Sequence, residues 1–136
     1  MKTSSKVFLA LAAALLIIPI PTVGHHGRAG YDMDKTLTVK ATITSFDWKN
    51  PHVQIHFDAP DEKGVVQQWI IEASNPYMEA RSGWTKDDFK PGDVVTISFH
   101  PAKSGSKVAY LKYAITTSGK RLTIPENSFG GTDTQQ

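Results

Sequence analysis

Apolar and polar residues alternate along much of the chain with a period of two, the pattern of strands that bury one face. In the clearest run, 37–47, Leu37, Val39, Ala41 and Ile43 share one face, and threonines and a lysine occupy the other. Similar segments follow at 53–58, 65–73, 94–100 and 108–116, with a short one at 121–124. The alternation therefore predicts five or six β-strands.

A helical signal interrupts the strands between the third and the fourth. Pro76 follows Ser74 and Asn75, so proline occupies the first helical position directly after a capping residue. This predicts a helix of about two turns that ends before Gly83. Thr85, followed by two aspartates, predicts a second helical start.

This order of elements predicts an all-β fold with minor α content. A three-strand meander, a short helical insert and further strands resemble a small five- to six-stranded antiparallel barrel of the oligonucleotide/oligosaccharide-binding (OB) type, with the helix between strands three and four. A split barrel or a small sandwich remains the alternative, because order along the chain does not determine closure.

Residues 1–24 have the pattern of a signal peptide. Lys2 and Lys6 precede an apolar run at 7–20, and small residues follow at Thr22 and Gly24. Because this run is shorter than the ~20 residues that span a bilayer, we expect export to the periplasm or medium, with cleavage after Gly24. No stable membrane insertion is expected after cleavage; an uncleaved N-terminal anchor is the alternative.

The remaining chain predicts a single β-barrel domain at 25–124, beginning with an N-terminal arm at 25–35 and followed by a flexible tail at 125–136. Lys2 and Lys6 are the only charged residues of the leader, so cleavage leaves 13 basic and 13 acidic residues and a formal charge of zero. This balance argues against nucleic acid as a partner. The chain has no cysteine, which excludes disulfides, thiolate ligands and thiol nucleophiles.

The histidines carry the sharpest functional hypothesis. Cleavage after Gly24 would expose an α-amine beside the rings of His25 and His26, and His52 follows the turn at Pro51. An amine with imidazoles suits copper and other transition metals. We therefore expect a metal site of His25, His26 and His52, with His100 as a substitute ligand and copper as the candidate cofactor. The alternative is a solvated histidine arm with no ligand.

A second hypothesis is a non-metal binding module for a glycan, peptide or protein partner. Trp48, Asn50 and Tyr31 are its candidate ligand-binding residues, because an exposed tryptophan beside an Asn-Pro turn can stack on a ring. Trp48 could instead plug one end of the barrel. The sequence contains no recognisable catalytic arrangement, so we expect no enzyme, with an oxidative copper enzyme as a minor third option.

Several motifs occur together in a family-specific order. They are the His25-His26 pair, Trp48-x-Asn50-Pro51-His52, Ser74-Asn75-Pro76, Gly83-Trp84-Thr85 and Lys90-Pro91-Gly92-Asp93. With them the chain resembles a family of small exported bacterial proteins catalogued as a domain of unknown function. The resemblance implies a mature chain that begins with two histidines, usually followed by serine, where this chain has Gly27. It also implies that the histidine pair and the Asn50-Pro51-His52 turn share one surface.

Overall fold

The computed structural model describes residues 27–125; the leader, His25, His26 and residues 126–136 lie outside this range. Six strands and one helix form the domain, and a 3₁₀ turn at Arg28–Gly30 precedes them. In chain order the elements are β1 (Leu37–Asp47), β2 (Gln54–Pro60), β3 (Val66–Glu72), α1 (Pro76–Arg81), β4 (Val94–Pro101), β5 (Val108–Ile115) and β6 (Arg121–Leu122). None of the helices within 27–125 combines the length and apolarity needed to cross a bilayer.

The strands form a closed barrel, which confirms the predicted OB-like fold. The order is β3-β2-β1-β4-β5-β6, and a further pairing between β3 and β5 closes the first five strands into a ring. This closing pair is parallel, with Ile70 opposite Val108 and Ile71 opposite Ala109, whereas all other pairs are antiparallel. The barrel is therefore mixed, whereas the sequence predicted an antiparallel barrel.

The barrel core follows the alternation that the sequence predicts. Successive side chains point to opposite faces of a strand, so every second residue enters the barrel except where the register shifts after Ile43 of β1 and along the β4–β5 pair. Trp69 of β3 is inward and packs against Phe99 of β4 with the rings tilted by 53° and their centroids 4.7 Å apart. The largest fully buried side chains of the barrel strands are Phe57, Phe99, Ile43, Ile55, Ile71, Ile97 and Leu111.

One end of the barrel is closed by the segment between β3 and β4. The Asn75 side chain accepts a hydrogen bond from the Met78 backbone N–H at 3.0 Å, and Pro76 begins α1, as expected of a proline after a cap. The second predicted helical start is wrong, because residues 86–88 form only a turn. There the Thr85 N–H donates to Asp88 Oδ2 at 2.7 Å, and Lys120 Nζ donates to Asp88 Oδ1 at 2.7 Å.

Glu79 of α1 is a carboxylic acid in the apolar interior, with 0% of its surface exposed. Its Oε1 accepts a hydrogen bond from the Ser74 N–H at 2.8 Å, whereas Oε2 has no hydrogen-bond partner among the described residues. Burial raises the pKa of Glu79, and the Ser74 N–H opposes part of that increase. The folded chain therefore holds the Glu79 proton to a higher pH than the unfolded chain does.

This burial predicts a pH-dependent effect of Glu79→Gln on stability. Below the unfolded-state pKa of about 4.3, both states hold the proton. As pH rises from that value through the raised folded-state pKa, the unfolded state releases its proton first, so the wild type loses stability. Since glutamine does not ionise, we expect the free energy of unfolding of the variant to rise relative to the wild type between pH 4 and pH 8.

Urea unfolding at pH 4, 6 and 8 measures this difference. Glu62→Gln is the matched control, because the Glu62 side chain is 86% exposed and should give no such trend. A stability difference for Glu79→Gln that stays constant across the three pH values would contradict the prediction.

Candidate functional site

The described part of the arm, residues 27–35, lies on the outside of the barrel along the end of β4. The Asp32 N–H donates to the Pro101 carbonyl at 2.9 Å, and the Lys103 N–H donates to the Gly30 carbonyl at 3.0 Å. Tyr31 forms a β-bridge with Ala102 and is only 6% exposed. Tyr31, predicted as a ligand-binding residue, is therefore the point where the arm docks on the barrel.

Aromatic and charged side chains hold the arm on this face. The rings of Tyr31 and Tyr110 lie 5.6 Å apart between centroids, and the Arg28 guanidinium lies 5.7 Å from the centroid of the Tyr110 ring. Arg28 Nε also donates to the Tyr110 hydroxyl at 3.4 Å. The first residues of the described chain thus lie against β5.

A negative charge lies close to this docking point. Burial raises the pKa of Tyr31, and the Glu72 carboxylate and the Tyr110 hydroxyl raise it further. The strand register explains this proximity, because the parallel pairing of Ile71 with Ala109 brings Glu72 of β3 beside Tyr110 of β5. The arm and the outer face of β3 are therefore neighbours.

Glu72 also lies next to His52, the candidate metal ligand that follows Pro51. His52 Nδ1 is 3.1 Å from the Ala73 carbonyl oxygen and 3.7 Å from Glu72 Oε1. Because a carbonyl oxygen only accepts, Nδ1 must carry the proton in this contact, and Nε2 of the neutral ring then holds the lone pair. Histidines that bind metals commonly donate their second ring N–H to a carbonyl or carboxylate in this way.

Polar side chains extend this face across β2. Gln54 Nε2 donates to Glu72 Oε2 at 3.3 Å, and Gln54 Oε1 accepts from His56 Nε2 at 3.4 Å. His56 Nε2 also lies 4.0 Å from Asp47 Oδ2. We call Asp47, His52, Gln54, His56 and Glu72 the polar face. Hydrogen bonds connect Glu72, Gln54 and His56, and His52 lies next to Glu72 at 3.7 Å.

His100, the predicted substitute ligand, is on the outside of β4 but is covered by the arm. Its Nδ1 lies 2.8 Å from the Lys35 carbonyl oxygen, so it carries the proton as in His52. The ring is 7% exposed and lies 6.5 Å from the Tyr110 ring between centroids. The alternation predicted the outward direction of His100, and the docked arm accounts for its burial.

Trp48 and Asn50, predicted as ligand-binding residues, lie in the loop between β1 and β2. Trp48 is half-buried and packs against Phe46, with ring centroids 5.9 Å apart, in the manner of a plug at this barrel end. Asn50 is exposed and precedes Pro51 through a cis peptide bond. The loop delivers His52 to the edge of the polar face, but Trp48 contributes to the core.

Glu72 and Gln54 belong to the polar face, although neither was among the candidate residues predicted from the sequence. Because Ile71 and Ile55 point into the barrel, the alternation predicts that the adjacent Glu72 and Gln54 point outward. That they lie opposite each other follows only from the β2–β3 register. His25 and His26 lie outside the described residues, immediately before Gly27. Within residues 27–125, no three histidine, aspartate or glutamate side chains cluster closely enough to hold a metal ion.

Comparison with known proteins places the chain in a family without assigning an activity. Neither a curated protein nor a solved structure matches the sequence. The family of unknown function DUF6152 matches residues 13–111, which include most of the barrel and the whole polar face. This confirms the family resemblance of the motifs around Asn50-Pro51-His52, and the chain belongs to the DUF6152 family.

Proposed function

We propose that the protein is exported and binds a transition-metal ion, copper foremost, at its processed N-terminus. The ligands are the α-amine and ring of His25, the ring of His26 and Nε2 of His52. The single observation that carries the proposal is the hydrogen bond from His52 Nδ1 to the Ala73 carbonyl, which presents Nε2 as the nitrogen able to bind a metal.

The docked arm supports bringing these groups together. Arg28 lies against Tyr110, and Glu72 is close enough to raise the pKa of Tyr31 while also lying 3.7 Å from His52 Nδ1. Two residues of chain reach at most ~7 Å, so the new N-terminus must lie near Gly27. The described start of the arm lies against β5, and the neighbouring strand β3 carries Glu72 beside His52.

The electrostatics of the face also favour a cation. Glu72 beside His52 attracts positive charge and holds the ring orientation, as carboxylates around metal-ligating histidines do. An α-amine ordinarily has a pKa of about 8, so a transition-metal ion displaces its proton readily near neutral pH. His100 supplies the alternative third imidazole, since its Nδ1 is also held by a carbonyl.

This site fits a role in periplasmic metal handling, either alone or as the partner of a transport system. The leader at 1–24 directs export, and an N-terminal amine ligand exists only after cleavage at Gly24. Export therefore controls when the site is complete, so the metal is bound in the compartment where the protein acts.

The proposal is tested with protein purified after export, its N-terminus confirmed as His25 by mass spectrometry. We expect Cu(II) binding tighter than micromolar in a competition titration, and His52→Ala should weaken it by about tenfold or more. His56→Ala is the matched control, because it removes a histidine from the same face but leaves the His52–Ala73 contact. Micromolar or weaker binding, or equal loss in both variants, would contradict the proposal.

A further inference from the structure

The barrel has an open mouth at the end opposite α1. β1 pairs with β2 only from Thr42 onward, whereas its first residues pair with β4 alone. The end of β2 at Ala59 and Pro60 pairs with β3 alone. The two strands therefore separate, and a cavity of about 650 Å³ opens between them, which is in the range of small-molecule sites.

The floor and one wall of this cavity are apolar. Trp69 and Phe99 pack against each other at its base, where they are 7% and 1% exposed, and Leu37 and Val39 line the side of β1. Leu37 and Val39 occupy inward positions of the strand yet remain only half-buried, because no strand covers them at the mouth. An apolar ligand would remove the exposed surface of Leu37 and Val39 from water.

The rim of the cavity is rich in lysine. Four lysines and three carboxylates line it: Lys35, Lys63, Lys103, Lys107, Asp32, Asp61 and Glu62. The four lysines and three carboxylates leave one net positive formal charge at the rim, and two of the carboxylates have partners. Asp61 accepts hydrogen bonds from the Lys63 and Val65 N–H groups and from Gln67 Nε2, and Glu62 lies 3.9 Å from Lys35 Nζ.

Lys107 joins the charged rim to the aromatic floor. Its Nζ lies 4.9 Å from the centroid of the Trp69 ring, which keeps an ammonium group directly over the apolar base. Lys103 lies on the same loop between β4 and β5. The cavity thus combines an apolar pocket with positive charge at its entrance.

We propose that this cavity binds a small amphipathic anion, an aliphatic or aromatic carboxylate. The apolar part lies mainly on Leu37 and Val39, beside the buried Trp69 and Phe99, and the carboxylate lies at Lys103 and Lys107. The volume corresponds to roughly 20 water molecules at ~30 Å³ each, so it accommodates a molecule but not a polymer. Because no residue of the polar face lines the cavity, this activity is separate from the proposed metal site.

Isothermal titration calorimetry of the metal-free exported protein tests the proposal with three probes of equal chain length: decanoate, decyltrimethylammonium and 1-decanol. We expect decanoate to bind at least about tenfold more tightly than the other two, which is the effect of about one charge-assisted hydrogen bond. Equal binding of the cation or the alcohol, or no binding of decanoate, would overturn the proposal.

Lysine variants test whether decanoate binds in the cavity at the open end of the barrel. The double variant Lys103→Gln/Lys107→Gln should weaken decanoate binding about tenfold. Lys86→Gln/Lys112→Gln removes the same charge from exposed positions outside the cavity and should leave the affinity unchanged. Equal weakening in both double variants would show a non-specific charge effect and overturn the assignment. His52→Ala should change Cu(II) binding but leave decanoate binding unchanged, so the two proposals fail separately.

Discussion

A Gly-Ser-Gly extension before His25 is expected to weaken Cu(II) binding by about a hundredfold relative to the protein that begins at His25. The extension turns the α-amine of His25 into an amide nitrogen, which is not basic and binds Cu(II) only where the metal displaces its proton within a chelate anchored by neighbouring ligands. It leaves both N-terminal rings, the arm and the polar face in place. Loss of a direct ligand should cost at least the upper end of the 10–100-fold effect of outer-shell partners.

The length of the extension matters for this test. A single added residue would place His26 third in the chain, where an amine, two backbone amides and an imidazole can bind Cu(II) in a different arrangement. Three residues move both histidines past that position. The same Gly-Ser-Gly segment added after Gln136 is the matched control and should leave the affinity unchanged.

Competition with a chromophoric chelator measures the affinity, and electron paramagnetic resonance of the Cu(II) form reports the nitrogen ligands. Equal affinity with and without the N-terminal extension would remove the amine from the proposed ligand set. If His52→Ala still weakened binding in that case, a site of imidazoles alone would replace the one proposed.

The strands were predictable because their signal is local. Alternation along β1 or β4 depends only on which residues enter the core, so Leu37, Ile43 and Phe99 identify strands without knowledge of their neighbours. Closure of the barrel was not predictable in the same way. It depends on the parallel contact of Ile70 with Val108, which are distant in sequence, and no local pattern encodes that contact.

The candidate site also contains residues with a local sequence signal and residues that only the assembled sheet brings in. His52 was identifiable from its residue type and the turn before it, whereas Glu72 became part of the site only through its register opposite Gln54. The covering of His100 depends on where the arm docks. The cavity at the mouth arises from the late start of the β1–β2 pairing at Thr42, which is a property of the assembled sheet.

Trp84 joins the segment after α1 to the rest of the barrel. Its side chain is 1% exposed, and its Nε1–H donates to the Thr123 carbonyl at 3.0 Å. The ring also packs on Phe89, which in turn contacts Phe46 of β1. Trp84 and Phe89 together therefore connect the segment after α1 to β1 and to the chain after β6.

Trp84→Ala is accordingly expected to lower the free energy of unfolding by about 3–5 kcal/mol, through lost burial and a cavity among these aromatic rings. Trp84→Phe keeps most of the apolar contact but leaves the Thr123 carbonyl without its donor, so we expect about 1–2 kcal/mol. Tyr77→Ala in α1 is the control, because Tyr77 is 68% exposed and should cost less than about 0.5 kcal/mol.

Urea unfolding followed by far-ultraviolet circular dichroism gives the three values by linear extrapolation. A Trp84→Ala cost no larger than that of Tyr77→Ala would show that the segment after α1 is not needed to hold the barrel together. Since domains of this size are stable by only about 5–15 kcal/mol, the expected loss is a large share of the total. It should therefore also lower the melting temperature by well over 10 °C, at roughly 4–8 °C per kcal/mol.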